Sequence, residues 1–322
     1  MQKTFTIISE TTDPAFNLAA EEVLMRHHKE NILFFYINAP SIIVGKHQNT
    51  LAEVNLQYLE ENNIPVYRRL SGGGTVYHDH GNINYCIIEN GEPGKLVDFV
   101  RATTPVVKAL KSYGLDARHG KRNDLLAGYK KISGNACHVY KSRTMHHGTL
   151  LFNSDLKHLT EALKAQPMKF KDKSVKSVRS EVVNIGSLIS SEDTPGSFLL
   201  FMAGQLKEIF GAEEFSFTTD DLKQIEKLSE EKYNTWKWNY GYSPVYEFSK
   251  RFATDQYKYS SKLRVEKGII TRADIRSDHP DQEKIEMVSL KVKGSLHEKN
   301  AIKQALSDFD KEMVSGVINS LF

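Results

Sequence analysis

Cysteine is scarce in this sequence of 322 residues, in which only Cys86 and Cys137 occur. Two cysteines cannot build a disulfide framework, and their positions do not form a zinc-finger pattern. A chain without disulfides is typical of a reducing compartment. The scarcity therefore excludes a small disulfide-stapled secreted protein and favours a place inside the cell.

Long apolar runs are also missing. The first residues, MQKTFTIISETTDPAFNLAAEE, contain no apolar signal core and no small-residue cleavage site. The most apolar segment, residues 31–45, is interrupted by Asn38 and Pro40 and is too short to cross a bilayer. We therefore expect a cytoplasmic protein that acts away from membranes.

Neither sign of charge is in large excess. The chain has 43 Lys and Arg against 40 Asp and Glu, a formal net charge of +3. Proteins that wrap nucleic acid are far more basic than this. Residues 164–179 are rich in lysine but lack the interleaved aromatic residues on which bases stack. We expect no nucleic-acid partner and interpret this run as a mobile surface loop.

What is present is the composition of a globular protein, with 40% hydrophobic and 26% charged residues. The length is about twice that of a typical single domain, which favours two domains. Helical periodicity stops at the segment TWKWNYGYSP, residues 235–244. We therefore expect a large domain over residues 1–245 and a small α+β domain over residues 246–322.

Short apolar runs separated by turn residues predict both helices and strands in the large domain. Asp13 and Pro14 form a helix start, followed by apolar residues at helical spacing as far as His27. The runs at residues 32–37 and 41–45 are rich in β-formers, and we expect them to be paired core strands. Further helices are expected at residues 98–113, 197–209 and 220–232, and further strands on both sides of the glycines at 72–74 and at 124–127, 131–133 and 147–153.

The small domain shows similar signals. Residues 262–265 and 269–275 flank the turn residues Glu266-Lys267-Gly268 and predict a hairpin. Residues 285–292 are expected to form another strand. A final helix is predicted from apolar residues that share one helix face, namely Ile302, Leu306, Phe309, Met313 and Val317.

The most informative motif is RRLSGGG, residues 68–74. Consecutive glycines weaken a sheet unless the backbone must approach a ligand closely. Arg68 and Arg69 add fixed positive charge and forked donors that suit a carboxylate or a phosphate. The motif therefore predicts a loop that binds an anionic ligand. A flexible hairpin tip would also explain the glycines, although not the paired arginines.

A second cluster combines Asn123 and Asp124 with Lys131, which precedes the small residues Ile-Ser-Gly-Asn-Ala. The two oxygen-bearing side chains are suitable ligands for Mg²⁺ carried by substrate phosphates. The lysine ammonium can offset the charge that develops on a transferring phosphoryl group. An ordinary capped turn and a solvated lysine are the alternative at this point.

Histidines form a third group. His78 and His80 alternate in one predicted strand, while His146 and His147 are adjacent in another. Alternating residues share one face of a strand and adjacent residues point to opposite faces, which does not by itself assemble a zinc site. We expect a strand histidine that packs against the glycine loop or forms a hydrogen bond with it.

Taken in order, RRLSGGGTVYHDHGNINY, KISGNA and HHGTLLFNSDL resemble the three signature motifs of lipoate-protein ligases. The match continues through SVKSVRSEVVNIGSL and WKWNYG and covers nearly the whole chain. The resemblance implies an α+β fold: a biotin/lipoate ligase-like catalytic domain, with a central mixed β-sheet flanked by helices, and a small α+β C-terminal domain.

The resemblance also implies two half-reactions. Lipoate and Mg-ATP would give lipoyl-adenylate with loss of pyrophosphate, and the acyl group would pass to the ε-amine of a lysine on a carrier. The carriers implied are the lipoyl domains of 2-oxoacid dehydrogenase E2 subunits and the glycine-cleavage H protein. Octanoate or a lipoyl amide is an alternative acyl donor, and a monomer is expected.

The motifs carry the family's site residues onto this chain, with Lys131 as the catalytic residue. Lipoate contacts are expected from Arg69, Ser71, Gly72, Gly73, Gly74, His78, His147, Gly148 and Thr149. ATP or adenylate contacts are expected from Arg69, Gly74, Val76, Asn123, Asp124, Lys131, Ser133, Ala136, Val178, Arg179 and Ser180. Asp124 and Asn123 would help to hold Mg²⁺. Residues 177–184 would form the adenylate-binding loop, with Arg179 as its phosphate contact, and the basic run before it would meet an acidic carrier.

Two other functions stay open from the sequence. A transferase of the same fold superfamily moves an acyl group through a cysteine placed after the HG strand, but no cysteine follows Cys137 here. A non-catalytic protein that binds lipoate or docks carriers would keep the pocket and lose turnover. Intact charged positions in all three motifs argue against this second alternative.

Overall fold

The computed structural model describes residues 2–91, 97–164, 168–178, 180–189 and 192–322. Within them the strands, in chain order, are β1 (Thr4–Ile8), β2 (Asn31–Ile37), β3 (Ser41–Val44), β4 (Val66–Arg68), β5 (Val76–His78), β6 (Asn82–Asn90), β7 (Ala117–His119), β8 (Asp124–Ala127), β9 (Lys130–Tyr140), β10 (Arg143–Leu151), β11 (Lys169–Asp172), β12 (Glu213–Glu214), β13 (Tyr246–Ala253), β14 (Lys258–Glu266) and β15 (Ile269–Ser277). The helices are α1 (Pro14–His27), α2 (Thr50–Glu53), α3 (Leu56–Glu61), α4 (Phe99–Ser112), α5 (Leu156–Ala162), α6 (Pro195–Phe210), α7 (Thr219–Leu228), α8 (Gln282–Val292), α9 (Lys299–Ala305) and α10 (Lys311–Leu321).

A mixed eight-stranded sheet, in the order β12-β1-β2-β6-β10-β9-β8-β7, forms the centre of the protein. In β2, Leu33 and Phe35 pack on one face with α4 and α6, while Phe34 and Tyr36 pack on the other with α1. Successive residues of a strand point to opposite faces, so an almost uniformly apolar strand is suited to lie between two helix layers. The predicted α+β architecture, with a central mixed sheet flanked by helices, is confirmed.

The glycine loop is carried by a separate three-stranded sheet in the order β4-β3-β5. The prediction that residues 32–37 and 41–45 pair with each other is wrong, because β2 pairs with β1 and β6, whereas β3 pairs with β4 and β5. The reason lies in the turn between them. Buried Asn38 bonds to Asn17 and His78, and the backbone N–H of Ala39 donates to Thr12, which directs the chain away from the central sheet.

The C-terminal domain has its own apolar core and a four-stranded sheet in the order β11-β13-β14-β15. The strand predicted at residues 285–292 is wrong, since these residues belong to helix α8. Ile285, Val288 and Val292 are buried at helical spacing, while Met287 and Leu290 are half or more exposed. Apolar residues on the solvent side of the helix produced an alternation that resembles a strand.

The final helix is divided into α9 and α10, so the single face predicted from Ile302 to Val317 is also wrong. Asp310 caps the second helix by accepting a hydrogen bond from the Met313 backbone N–H at 2.8 Å. Such a cap starts a new helix, and the chain turns between Leu306 and Asp310. The two helices still share one core, in which Ile302, Leu306 and Met313 are buried.

Part of the predicted mobile loop is a strand. Within residues 164–179, the segment Lys169–Asp172 forms β11, which pairs antiparallel with β13 of the C-terminal domain. Phe170 packs against the core of that domain, and this apolar contact accounts for the strand in an otherwise basic run. Among the described residues, no helix combines the length and apolar character needed to span a membrane.

Candidate active site

A cavity of about 300 Å³ lies where the glycine loop, β9, β10, residues 175–178 and Ser180 meet. The residues that we predicted for the site and that line this cavity are Arg69, Gly73, Gly74, Val76, His78, Asn123, Asp124, Lys131, Ala136, His147, Gly148, Thr149, Val178 and Ser180. Ser71, Gly72 and Ser133 do not line it. Arg179 lies outside the described residues. The three motifs therefore converge on one place in the fold.

The two adjacent arginines of the RRLSGGG motif have different surroundings. Arg69 is buried, and its Nη2 donates to the carbonyl oxygens of Gly72 at 2.6 Å and Gly74 at 2.7 Å. Its Nε donates to Ser71 Oγ at 3.0 Å, which fixes the plane of the guanidinium. Burial lowers the pKa of Arg69 to about 10, so it stays charged at neutral pH. It thus shapes the glycine loop and brings a cation to the cavity wall.

Arg68 does not reach the cavity, contrary to the expectation that both arginines face an anion. Its Nη1 donates to the carbonyl oxygens of Gly45 at 3.0 Å and Gln48 at 2.8 Å, and its Nη2 donates to that of Asn239 at 3.0 Å. These bonds tie the loop after β3 to the π-helical segment Lys237–Gly241. Burial lowers the pKa of Arg68 to about 10, and its role is structural.

Glycines permit the close approach of two loops. Gly73 has φ 87°, a left-handed conformation that side chains disfavour. A Cβ on Gly45 would collide with the carbonyl oxygen of Gly73. The glycine loop therefore packs directly on the backbone that follows β3, a contact that explains Gly45 and Gly73.

A buried acid, which sequence reasoning missed, orients one wall of the cavity. The carboxylate of Glu21 is 2.9 Å from His147 Nδ1 and accepts a hydrogen bond from the Tyr36 hydroxyl at 2.9 Å. His147 Nε2 is 2.6 Å from Ser71 Oγ, as expected for a strand histidine that contacts the glycine loop. A neutral His147 with Nδ1–H donating to Glu21 and with Ser71 donating to Nε2 satisfies each of these contacts.

A signal for Glu21 was present in the sequence. It lies three residues after Leu18 and three before Leu24, both of which are buried on the inner face of α1. A carboxylate on an apolar helix face is costly unless it is paired. Tyr36 lines the cavity as well. Burial and the neighbouring Glu21 raise the pKa of this phenol well above its usual range.

His78 presents a neutral imidazole to the cavity. The amide of Asn38 donates to His78 Nδ1 at 3.0 Å, while its own oxygen accepts from Asn17. This orientation places the ring proton on Nε2, which is buried without a hydrogen-bond partner among the described residues. Burial, followed by the nearby charge of Arg69, lowers the pKa of His78 to about 3. His78 therefore keeps a buried ring N–H that has no partner among the described residues.

Asp79, the neighbour of His78, serves the fold. Its carboxylate oxygens accept from the backbone N–H groups of Gly81 at 2.9 Å and Asp155 at 2.7 Å. The bonds close the turn before β6 and join it to the start of α5. The acidic residue of this motif thus organises the backbone behind the cavity.

Lys131 lies on β9 and is partly buried. Burial lowers the pKa of its ammonium, the carboxylate of Asp124 opposes this shift, and Arg69 adds to it. The Lys131 backbone N–H donates to Glu181 at 2.9 Å, and its carbonyl accepts from Val183 at 3.0 Å. The segment that follows residue 180 is thus fastened to the strand that carries the lysine.

Asn123 and Asp124 enter the cavity at the start of β8. Asn123 has φ 59°, and Asp124 Oδ1 accepts from the Arg122 backbone N–H at 3.2 Å. Both side chains present the hard oxygen atoms that suit Mg²⁺. In the part of the chain that the structure describes, no group of three or more His, Cys, Asp or Glu residues is placed to hold a metal ion.

A second, larger cavity of about 650 Å³ adjoins the first. The two share Lys131, Thr149 and residues 176–178. The second is walled by the apolar side chains of Leu151, Leu156, Leu159, Leu163 and Val182. The arrangement can hold two ligands whose reactive ends meet beside the partly buried ammonium group of Lys131.

Comparison with known proteins gives family matches over both domains. Residues 13–206 match the lipoyl protein ligase A/B catalytic domain, and residues 243–321 match the bacterial lipoate protein ligase C-terminus. The chain is 42% identical to lipoate-protein ligase 1 of Staphylococcus aureus over 304 residues, 93% of this chain and 92% of that protein. It is 38% identical to lipoate-protein ligase LplJ of Bacillus subtilis over 301 residues, 91% of this chain and 90% of that protein.

Solved structures resemble the larger part of the chain. A putative lipoate protein ligase of Thermoplasma acidophilum with bound lipoic acid is 27% identical, with a TM-score of 0.64, over 74% of this chain and 99% of that one. A lipoate-protein ligase A bound with ATP matches the same shares with a TM-score of 0.65. A bipartite lipoate protein ligase of T. acidophilum, described together with its E2 lipoyl domain, covers 75% of this chain and 98% of its own at a TM-score of 0.65 and 27% identity. The chain belongs to the lipoate-protein ligase family.

Proposed function

We propose that this protein activates lipoate with Mg-ATP to lipoyl-adenylate and transfers the lipoyl group to a lysine of a lipoyl carrier domain. The observation that carries the proposal is the position of Lys131, a partly buried ammonium at the junction of two cavities and close enough to Arg69 for the two charges to interact. Related ligases bound to lipoic acid and to ATP support the choice of substrates.

In the first half-reaction, a lipoate carboxylate oxygen attacks the α-phosphorus of ATP. A new O–P bond forms, the bond to the β-phosphate oxygen breaks, and pyrophosphate leaves. Negative charge accumulates on the phosphoryl oxygens, and a preorganised cation in a site shielded from water stabilises such charge strongly. Lys131 and Arg69 supply two cations. Magnesium enters with ATP as part of the substrate, and the oxygen atoms of Asn123 and Asp124 fit as additional ligands.

In the second half-reaction, the neutral amine of a carrier lysine attacks the acyl carbon of lipoyl-adenylate. An amide bond forms, AMP leaves with the bonding electron pair, and the amine loses a proton. The archaeal relative described with its E2 lipoyl domain supports a carrier of this class. We include the glycine-cleavage H protein as a second carrier and octanoate as a second acyl donor.

The two cavities suit different parts of the intermediate. The smaller one, which contains His78 and His147, is of a size for the lipoyl chain. The larger apolar one offers room for an adenine ring between Val76 and Val182. We assign the acyl chain to the first and the nucleoside to the second, so that the mixed anhydride lies beside Lys131.

The wider assignments complete the proposal. We place the domain boundary between residues 245 and 246 and propose a monomer in the cytoplasm, where ATP is available and unpaired Cys86 and Cys137 stay reduced. Burial raises the pKa of both thiols, the reverse of what a nucleophilic thiolate requires. Replacement of both by alanine should leave acyl transfer intact, and loss of transfer in a folded variant would favour a cysteine-dependent transferase.

The direct test is pyrophosphate release from Mg-ATP in the presence of free lipoate and no carrier. We expect lipoate-dependent release by the unmodified protein and a loss of at least about 100-fold in Lys131→Met, which keeps an unbranched side chain of similar length but removes the charge. Lys130→Met is the matched control, because Lys130 pairs with Glu181 at 2.8 Å on the surface. Equal rates in the two variants would contradict the role of Lys131. Lipoate binding without pyrophosphate release would contradict the adenylation step.

A further inference from the structure

Gln48 is a fully buried residue that neither motif analysis nor the cavity walls single out. It lies in the loop between β3 and α2 and is 0% exposed. Its Oε1 accepts from the Gly45 backbone N–H at 2.8 Å and from the Thr75 hydroxyl at 2.9 Å. Its Nε2 donates to the Val175 carbonyl at 3.3 Å and to Ser177 Oγ at 3.1 Å. All four hydrogen-bonding positions of the amide are thus used.

The orientation of this amide has only one solution. The backbone N–H of Gly45 can only donate, and the carbonyl of Val175 can only accept. A rotated amide would place two donors against each other at one end and two acceptors at the other. Glutamine is therefore required as a group with a donor and an acceptor end, and neither glutamate nor an apolar side chain of equal length reproduces it.

The contacts of Gln48 join three segments that meet at the cavity. Thr75 ends the glycine loop, and its backbone N–H donates to Ser177 Oγ at 2.9 Å. Val175 and Ser177 also line the cavity. Gln48 thus links the loop after β3, the glycine loop and residues 175–177 through one side chain.

Neighbouring bonds follow the same pattern. The Val175 backbone N–H donates to His47 at 3.2 Å, and the Ser177 backbone N–H donates to Glu53 Oε2 at 3.2 Å. Asn49 Nδ2 donates to Asp172 Oδ2 at 3.1 Å. Residues 47–53 are thus joined to residues 172–177 by several hydrogen bonds, and Gln48 is a fully buried residue among them.

We infer that Gln48 is a positioning residue that holds residues 175–177 against the glycine loop and so keeps the reacting acyl group away from water. The inference rests on the proposed adenylation chemistry, since a mixed anhydride that meets water is hydrolysed to lipoate and AMP. Gln48 itself lines neither cavity, so it touches no substrate and acts through Thr75 and Ser177.

The test compares Gln48→Met with Gln57→Met, a control at an exposed glutamine on α3 that bonds only locally, to Glu61 at 2.8 Å. The first measurement is the number of pyrophosphate molecules released for each carrier acylated. We expect this ratio to rise about fivefold in Gln48→Met and to stay near its normal value in the control. A loss of folded protein lowers both products equally and leaves the ratio unchanged. If Gln48 has only a structural role, the ratio in Gln48→Met should therefore equal that of the unmodified protein, and this result would overturn the inference.

The second measurement is amide hydrogen exchange, which requires no turnover. We expect exchange in residues 174–178 to accelerate about fivefold in Gln48→Met while the core strands β2 and β6 keep their protection. Uniform acceleration over the chain, or none at 174–178, would overturn the inference. If the unmodified protein releases no pyrophosphate, the proposed function fails, while the exchange experiment still decides whether Gln48 holds the segment.

Ser177→Ala provides a second variant should Gln48→Met fold poorly. It removes only a hydroxyl that accepts from Gln48 Nε2 and from the Thr75 backbone N–H. We expect it to raise the ratio of pyrophosphate to acylated carrier in the same direction. In the double variant the increase should be smaller than the product of the single increases, because both act on one set of contacts. Independent, multiplicative effects would contradict the inference.

Discussion

The two domains bury very different kinds of side chain. Around the cavity, Glu21, Arg69, His78 and His147 are each less than a tenth exposed. The core of the C-terminal domain is mainly aliphatic and aromatic, and its buried polar contacts include Tyr246 with His297. Burying a charge costs free energy unless hydrogen bonds compensate for it. The comparison indicates that the large domain buries charged groups around the proposed active site, whereas the small domain is organised mainly by packing.

The sharpest test of the comparison uses the adjacent arginines. Arg69→Lys keeps the charge but loses the fork that holds the carbonyl oxygens of Gly72 and Gly74. We expect kcat/KM for pyrophosphate release to fall about 100-fold. Arg68→Lys, the matched control, should lower the melting temperature but leave the kcat of the folded fraction within a few-fold of normal. Equal losses of kcat would contradict the division of roles between the two residues.

Replacing the buried histidine of the small domain tests whether the buried polar groups of that domain affect only stability. Burial lowers the pKa of His297 from 6.5 to about 4. The unfolded chain therefore takes up a proton at higher pH than the folded one, and the free energy of unfolding falls as pH drops from about 6.5 to about 4. We expect His297 to contribute about 2 kcal/mol to the loss of stability between pH 7 and pH 4.5. Denaturant unfolding at pH 7 and pH 4.5 measures it.

His297→Gln serves as the reference protein for this measurement. It lacks the titrating group, so its loss of stability between the two pH values should be smaller by a comparable amount. Its activity at pH 7 should match that of the unmodified protein. If His297→Gln loses as much free energy of unfolding between pH 7 and pH 4.5 as the unmodified protein, the role of His297 is contradicted. A loss of activity in the folded variant would show that the small domain contributes polar groups to the reaction.

The smallest expected effect comes from the adjacent acids of α1. Glu21→Gln keeps the size of the side chain but removes the charge opposite His147, and we expect kcat/KM for lipoate to fall about tenfold. Glu22→Gln is the matched control, since Glu22 pairs with Lys232 at 2.6 Å and Arg26 at 2.8 Å instead. It should reduce stability and leave kcat/KM unchanged. Steady-state kinetics with lipoate varied would distinguish the two, and a tenfold loss in both variants would contradict the special position of Glu21.

Local sequence signals identified much of this organisation. The caps and apolar spacing of α1 and the hairpin formed by β8 and β9 follow from short-range patterns. The place of Arg69, Lys131 and His147 in one site was implied by the family resemblance, and all three line one cavity. Such features depend on residues a few positions apart, which a sequence displays directly.

Features that depend on distant partners were not identified in the same way. The sequence does not distinguish the roles of the adjacent residues Arg68 and Arg69. The hydrogen bond from Arg68 to Asn239 identifies Arg68 as the structural one. The role proposed for Gln48 depends on its hydrogen bonds with Thr75 and Ser177, which lie far along the chain. Helix α8 was mistaken for a strand because its solvent side retains Met287 and Leu290. In each case tertiary contacts, not local propensity, decide the outcome.

Strand β11 has a consequence for fragmenting the protein. Residues 169–172 precede the proposed boundary by more than seventy positions, yet they form the edge of the C-terminal sheet by pairing with β13. A chain cut after residue 245 would leave β13 with an unpaired edge and the other fragment with a strand that fits it. Co-expressed fragments 1–245 and 246–322 should therefore reassemble by strand complementation, which makes this site suitable for a split protein.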